Sequence, residues 1–167
     1  LFFSATVSRE INEIIQSFLR SPEVVSVKTA ETAQNVEQDV IRVRNKEEKV
    51  EKLRELLRQE EFKKVLIFGK TKWNVERLAR ALYSHGFSVA SIHGNKSQNQ
   101  RVAALSEFKS NKIQVLVATD IAARGLDIEN ITHVINFDEP TSYTDYVHRI
   151  GRTGRANKQG KALTFIF

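Results

Sequence analysis

From Val36 onward, short apolar runs alternate with segments whose apolar residues recur at helical spacing, and few folds tolerate that alternation. Val36 to Val43, Val65 to Phe68, Val89 to Ile92, Ile113 to Val117, Val134 to Phe137 and Leu163 to Phe167 read as strands. Between them Lys46 to Arg58, Thr71 to Ser84, Ser97 to Phe108 and Tyr143 to Ile150 read as helices. The first turns Val50, Leu53, Leu56 and Leu57 inward, and the second Val75, Leu78, Ala79 and Leu82, stopping at Gly86. Ser97-x-x-Gln100 opens the third with a capping-box pattern. The last places Tyr143, Tyr146, Val147 and Ile150 on one face. Strands without polar alternation are buried on both sides. The chain is therefore α/β, with a mostly parallel β-sheet and helices on both faces.

The first fifth of the chain is less regular. Leu1 to Phe3 reads as the end of a buried strand, followed by Ser4-Ala5-Thr6. Ser8 is placed to cap a helix with Ile11, Ile14, Ile15, Phe18 and Leu19 on one face, ending at Ser21-Pro22. Val24 to Val27 suggests another strand, and Lys28 to Asn35 a linker. The apolar 11–19 face is expected to fold back on the chain or pack against a neighbouring chain.

Composition narrows the chemistry. With no cysteine, disulfides, thiolate metal sites and cysteine nucleophiles are excluded. His85, His93, His133 and His148 lie far apart in sequence, and no metal ligand set is expected. Trp73 and the phenylalanines are read as core. No apolar run reaches membrane-spanning length, and Arg9, Glu10 and Glu13 follow the first apolar residues too soon for a signal peptide. The expectation is a cytoplasmic protein away from membranes. A net charge of +6 fits an anionic partner and a surplus of surface lysines equally well. Methionine is absent even at position 1, which predicts a piece of a longer protein.

In parallel sheets ligands sit beyond the carboxyl ends of strands, so the segments after each strand carry the functional weight. Gly69-Lys70-Thr71 invites a phosphate-loop reading, but that loop needs a glycine where Lys64 stands; Thr71 fits better as a helix cap. Gly94, with Gln98 and Arg101 in the first turn of a capped helix, suits either a phosphate contact or a plain solvated helix start. Thr119-Asp120 and Arg124-Gly125-Leu126-Asp127 form a small, doubly acidic loop. There Asp127 suits ribose hydroxyls and Arg124 an anion, or the loop is only a set of local turns. His148-Arg149-Ile150-Gly151-Arg152-Thr153-Gly154-Arg155 is the strongest local signal. Its glycines disfavour continued helix and hold Arg152 and Arg155 on an irregular segment, where guanidinium forks suit phosphate oxygens.

Together these residues resemble the C-terminal RecA-like domain of the DEAD-box ATP-dependent RNA helicases. Ala118 to Ile128 resembles the family's fifth motif and Tyr146 to Arg155 its sixth. Ile67-Phe68 with Thr71 resembles the fourth, and Gly94 with Gln98 and Arg101 the segment between. Ser4-Ala5-Thr6 is similar to the third motif, which belongs to the preceding domain. The resemblance implies that residues 1–33 are the tail of an N-terminal RecA-like domain plus linker, and 34–167 the C-terminal domain.

The resemblance also implies roles. Arg152 and Arg155 are expected as arginine fingers on an ATP γ-phosphate, and Gly125 with Asp127 at the ATP ribose. Ser4, Thr6, Arg124, His148 and Arg149 are expected to couple the two domains. Thr71, Gly94, Gln98, Arg101 and Thr119 are expected on the RNA sugar-phosphate backbone. ATP and Mg2+ would be held mainly by the N-terminal domain. Alternatives are a non-catalytic RNA- or protein-binding module, and a related helicase acting on DNA. Because the chain carries no Walker A loop and no Asp-Glu-Ala-Asp box, it is expected alone neither to hydrolyse ATP nor to unwind RNA. A coupled phosphate-release assay with RNA and Mg2+ checks this: sustained turnover by the 167-residue chain, lost in Arg152→Ala, contradicts it.

Overall fold

A computed structural model describes residues 9–19, 23, 35–124, 126, 128–154 and 158–167, without the side chains of 9–12 and 14. The elements run α1 (Arg9–Phe18), β1 (Val36–Arg42), α2 (Lys46–Leu57), β2 (Val65–Phe68), α3 (Lys72–Ser84) and β3 (Val89–Ile92). They continue with α4 (Gln98–Lys109), β4 (Val115–Ala118), α5 (Asp120–Ala123), β5 (His133–Asn136), α6 (Tyr143–Ile150) and β6 (Gly160–Ile166). The six strands form one sheet in the order β1-β6-β5-β2-β4-β3, and every neighbouring pair is parallel.

The pleat divides the central strands between two cores. Val65 and Ile67, Val115 and Val117, Ile135 and Leu163 face one side, under Leu53 and Leu57 of α2 and Val75, Leu78 and Leu82 of α3. Leu66 and Phe68, Leu116 and Ala118, and Val134 face the other, under Ala104 and Phe108 of α4 and Ala122 and Ala123 of α5. Successive residues of each strand therefore serve opposite cores, which is why these strands show no polar alternation.

Helix boundaries follow the caps. Asn45, Thr71, Ser97 and Ser142 each accept a backbone N–H from the first turn of α2, α3, α4 and α6. Ser97 and Gln100 complete the reciprocal capping box. Gly86 ends α3 at φ +84°, with Phe87 N–H donating to the Leu82 carbonyl at 3.2 Å.

Several expectations are corrected. The strand placed at Ile113 begins two residues later and runs to Ala118. The segment after it, read as loop, contains the helical turn α5, which four residues are too few to show by periodicity. Tyr143 is 81% exposed, because it sits in the first turn of α6, ahead of the buried Ile150. Trp73 is 70% exposed rather than core. In α2 it is Lys49, beside Leu53 and Leu57, that is buried, while Val50 and Leu56 are half-buried. Phe18 of the 11–19 face is 82% exposed, and Ile15 and Leu19 are half-buried. The expectations for residues 1–8 and 24–34 lie outside the described residues.

His133 at the start of β5 stacks on Phe62 with ring centres 3.8 Å apart. The Thr132 hydroxyl donates to the Lys64 carbonyl at 3.0 Å, so His133 Nδ1 donates to it, also at 3.0 Å. Burial pushes the imidazole down from 6.5 to about 4. The unfolded chain therefore takes up a proton below pH 6.5 while the fold does not. The stability present above pH 6.5 is lost as pH falls towards 4, by up to about 3 kcal/mol. Urea unfolding between pH 7 and 4 should show this fall flattened in His133→Gln; equal slopes in parent and variant would exclude it.

Candidate functional site

Parallel strands carry all their carboxyl ends to one rim. Thr71 follows β2, His93 and Gly94 follow β3, and Thr119 follows β4, and these three strands are neighbours in the sheet. The rim is laced by the backbone: Gly69 N–H donates to the Ala118 carbonyl at 3.0 Å, Thr119 N–H to Ile92 at 3.3 Å, and Asp138 N–H to Phe68 at 3.1 Å. Lys70 N–H reaches Asp138 Oδ2 at 2.8 Å. Thr71 is the N-cap of α3, its hydroxyl accepting from Asn74 at 3.1 Å. The Gly69-Lys70-Thr71 run is thus a strand exit and a cap.

Gly94 has no local need to be glycine. Its φ is not positive, and a β-carbon there would meet no atom within 4 Å. The turn around it is held from beneath. His93 Nδ1 accepts the Asn95 N–H at 3.2 Å, which leaves Nε2–H to donate to Glu76 at 3.1 Å. Ser91 Oγ donates to the same carboxylate at 2.7 Å, and Lys96 pairs with it at 3.0 Å. Hydrogen bonds from His93, then from Ser91, hold Glu76 down at about 2. Gln98 and Arg101 open α4 beside this turn, and no hydrogen bond or ion pair occupies the Arg101 side chain among the described residues. Thr119 caps α5 without a side-chain hydrogen bond.

Behind the rim lies Arg149, 2% exposed. Its Nε and Nη2 donate to the two oxygens of Asp120 at 2.6 and 2.8 Å. Nη1 donates to Asn136 Oδ1 at 3.2 Å and to the Asp138 carbonyl at 2.7 Å. The guanidinium also lies 5.1 Å from the centre of the Phe68 ring. Arg149 lies off the apolar face of its helix, in a polar cradle inside the domain. Neither this cradle nor the Glu76 network shows in local sequence spacing.

The glycine-rich arginine segment is packed tightly. Gly154 adopts φ +67°, and a β-carbon there would come within 2.7 Å of Val36 and 3.1 Å of the Asn35 carbonyl. A β-carbon on Gly160 would fall 2.1 Å from Thr153 Oγ1 and 2.5 Å from Gly154 N. Thr153 Oγ1 donates to the Ile131 carbonyl at 2.5 Å. Arg152 Nη1 donates to the Leu126 carbonyl at 2.9 Å, which ties it to the segment after α5. Arg124 is exposed beside that segment, and His148 is half-buried on α6. Ser4, Thr6, Gly125, Asp127 and Arg155 lie outside the described residues. No three metal-ligating side chains converge among the described residues, and none of the described helices is long and apolar enough to cross a membrane.

Comparison with known proteins identifies the family. Residues 48–157 match the helicase conserved C-terminal domain family. The chain is 47% identical to the ATP-dependent RNA helicase CshA of Listeria monocytogenes over 167 residues, covering 99% of this chain and 32% of that relative. It thus spans about a third of the length of the curated relatives it matches. The DEAD box protein of Methanococcus jannaschii superposes with a TM-score of 0.73 at 39% identity, covering 98% of this chain and 44% of that one. S. cerevisiae Dbp5 bound to RNA and ADP BeF3 superposes with a TM-score of 0.82 at 27% identity, covering 98% and 44%.

Asp120→Ala leaves the buried Arg149 guanidinium without its counter-charge and should cost about 3 kcal/mol. Urea unfolding measures it against Ile121→Ala, an 83% exposed neighbour expected to change stability by less than about 0.5 kcal/mol. Equal losses from the two substitutions would remove Arg149–Asp120 as the anchor of this edge.

Proposed function

Because the chain belongs to the helicase conserved C-terminal domain family, in the form carried by DEAD-box proteins, we propose that it is the second half of an RNA-dependent ATPase and helicase. Residues 1–33 are the tail of the preceding RecA-like domain with its linker, and 34–167 the C-terminal domain. The rim formed by Thr71, Gly94, Gln98, Arg101 and Thr119 grips an RNA sugar-phosphate backbone. Arg152 and Arg155 reach the γ-phosphate of an ATP bound in the cleft between domains, with Gly125 and Asp127 at its ribose. Mg2+ travels with the ATP on the preceding domain.

The observation that carries this reading is the double use of the segment after β4. Thr119 stands on the rim with its hydroxyl free of any cap, and the same segment, one helical turn on, holds Arg152 through the Leu126 carbonyl. RNA and nucleotide contacts thus share one short piece of chain. Asp120 within it is clamped by Arg149, which holds the two contacts at a fixed separation. Arg149 acts in coupling from inside the domain, by fixing this segment, while Arg124 and His148 face the preceding domain's Ser4 and Thr6.

The physics suits such roles. Phosphoryl transfer needs positioned positive charge on the transferring oxygens rather than covalent chemistry. Contacts to backbone alone hold RNA without reading its sequence. Closure of two such domains on one strand bends it away from a duplex path, which separates the strands locally.

The test uses the chain joined to its N-terminal half. Arg152→Ala should lower RNA-stimulated kcat by about 10³-fold. Arg101→Ala should weaken RNA binding evenly across sequences and reduce the salt dependence by about one phosphate contact. Full turnover in Arg152→Ala would overturn the arginine-finger role, and no turnover in the joined parent would move the chain to the binding-module reading.

A further inference from the structure

Trp73 is the chain's single tryptophan, and it lies open at the N-terminal turn of α3, two residues beyond Thr71. Isolated exposed apolar residues are ordinary on protein surfaces. Trp73 differs in its surroundings. The Lys72 ammonium sits over its ring, 5.5 Å from the centre, and reaches the Asn95 side chain at 3.0 Å. Indole, cation and the Gly94 turn are therefore side by side. Lys70, one residue before Thr71, is exposed. Neither Lys70 nor Lys72 forms an ion pair among the described residues. The two lysines make a positive patch beside one flat aromatic face turned to solvent.

We infer that Trp73 is a stacking platform for a base of the single-stranded RNA held at this rim. The inference rests on the RNA-backbone reading above and adds a contact to the base itself. Backbone contacts fix where the strand runs; an aromatic plane beside that track offers its face to whichever base lies there. Such stacking tolerates any base, because every base presents a π-face. Lys72 covers one face of the indole and supplies charge for the adjoining phosphate, leaving the other face for the base. Continuity with Thr71 and the Gly94 turn, together with two lysines that form no ion pair among the described residues, favours a nucleic-acid occupant over an apolar peptide.

The chain reports on itself, since its tryptophan emission comes from Trp73 alone. A single-stranded oligouridylate is titrated into the 167-residue chain. Emission is followed in one cell and the anisotropy of a labelled strand in another, alongside an abasic strand of the same length. The expected result is emission quenched with the same midpoint as the anisotropy. Trp73→Ala should weaken binding of the oligouridylate about tenfold and leave the abasic strand unchanged, while Trp73→Phe retains most of the affinity. Binding by anisotropy with unmoved emission, and equal affinity in Trp73→Ala, would overturn the platform and leave the RNA rim standing. No binding of either strand, or binding indifferent to Arg101→Ala, would overturn both. Emission that shifts with the chain's own concentration before RNA is added would assign Trp73 to self-association and overturn the inference.

Discussion

A guanidinium with no access to water organises the functional edge of this domain. Removing such a charge from solvent costs several kcal/mol unless geometry and hydrogen bonds offset it. Arg149 offsets it with four hydrogen bonds to three partners. Those partners lie after β4, at the end of β5, and just beyond it. Asp138 extends the chain of contacts, its carboxylate accepting from Lys70 at the exit of β2 and standing 3.9 Å from the buried Lys49 of α2. One side chain therefore ties the exit of β4 to the exit of β5. A charged cradle specifies distances and angles that apolar packing would leave looser.

The two proposed chemistries sit differently on that frame. The rim residues are open and little engaged: Gly94 has empty space beside it, and Thr119 and Arg101 keep polar groups unspent. The arginine segment is the reverse, with Gly154 and Gly160 packed closer than any side chain allows. A surface that meets a flexible polymer of variable sequence works with adaptable contacts. A group that must meet one phosphate oxygen works only from a fixed base.

Much of this was legible in the sequence, for identifiable reasons. β2 and α6 fall where the pattern placed them, because an apolar run bounded by polar residues and a capped amphipathic helix are both local signals. Thr71 and Ser97 were readable as caps for the same reason. What escaped depends on partners far along the chain. Glu76 and His93 are 17 residues apart and meet only across α3 and β3. Arg149 finds Asp120 at a separation of 29. Lys49 is buried because its ammonium reaches Asp138 and the Phe137 ring, which no helical period reveals. Trp73 was misread because an aromatic near Val75 and Leu78 looks like part of their stripe. At the second position of the helix it points away from it.

The close fit at Gly154 has a mechanical meaning. Asn35 and Val36 are where the polypeptide enters the sheet, and their backbone and side chain are what Gly154 touches. The Asn35 carbonyl is also the acceptor for Gly160 at 3.0 Å. The doorway of the domain and the hinge-like bend that carries Arg152 are one contact. A displacement of the entering strand therefore meets the arginine bend directly, without crossing the core.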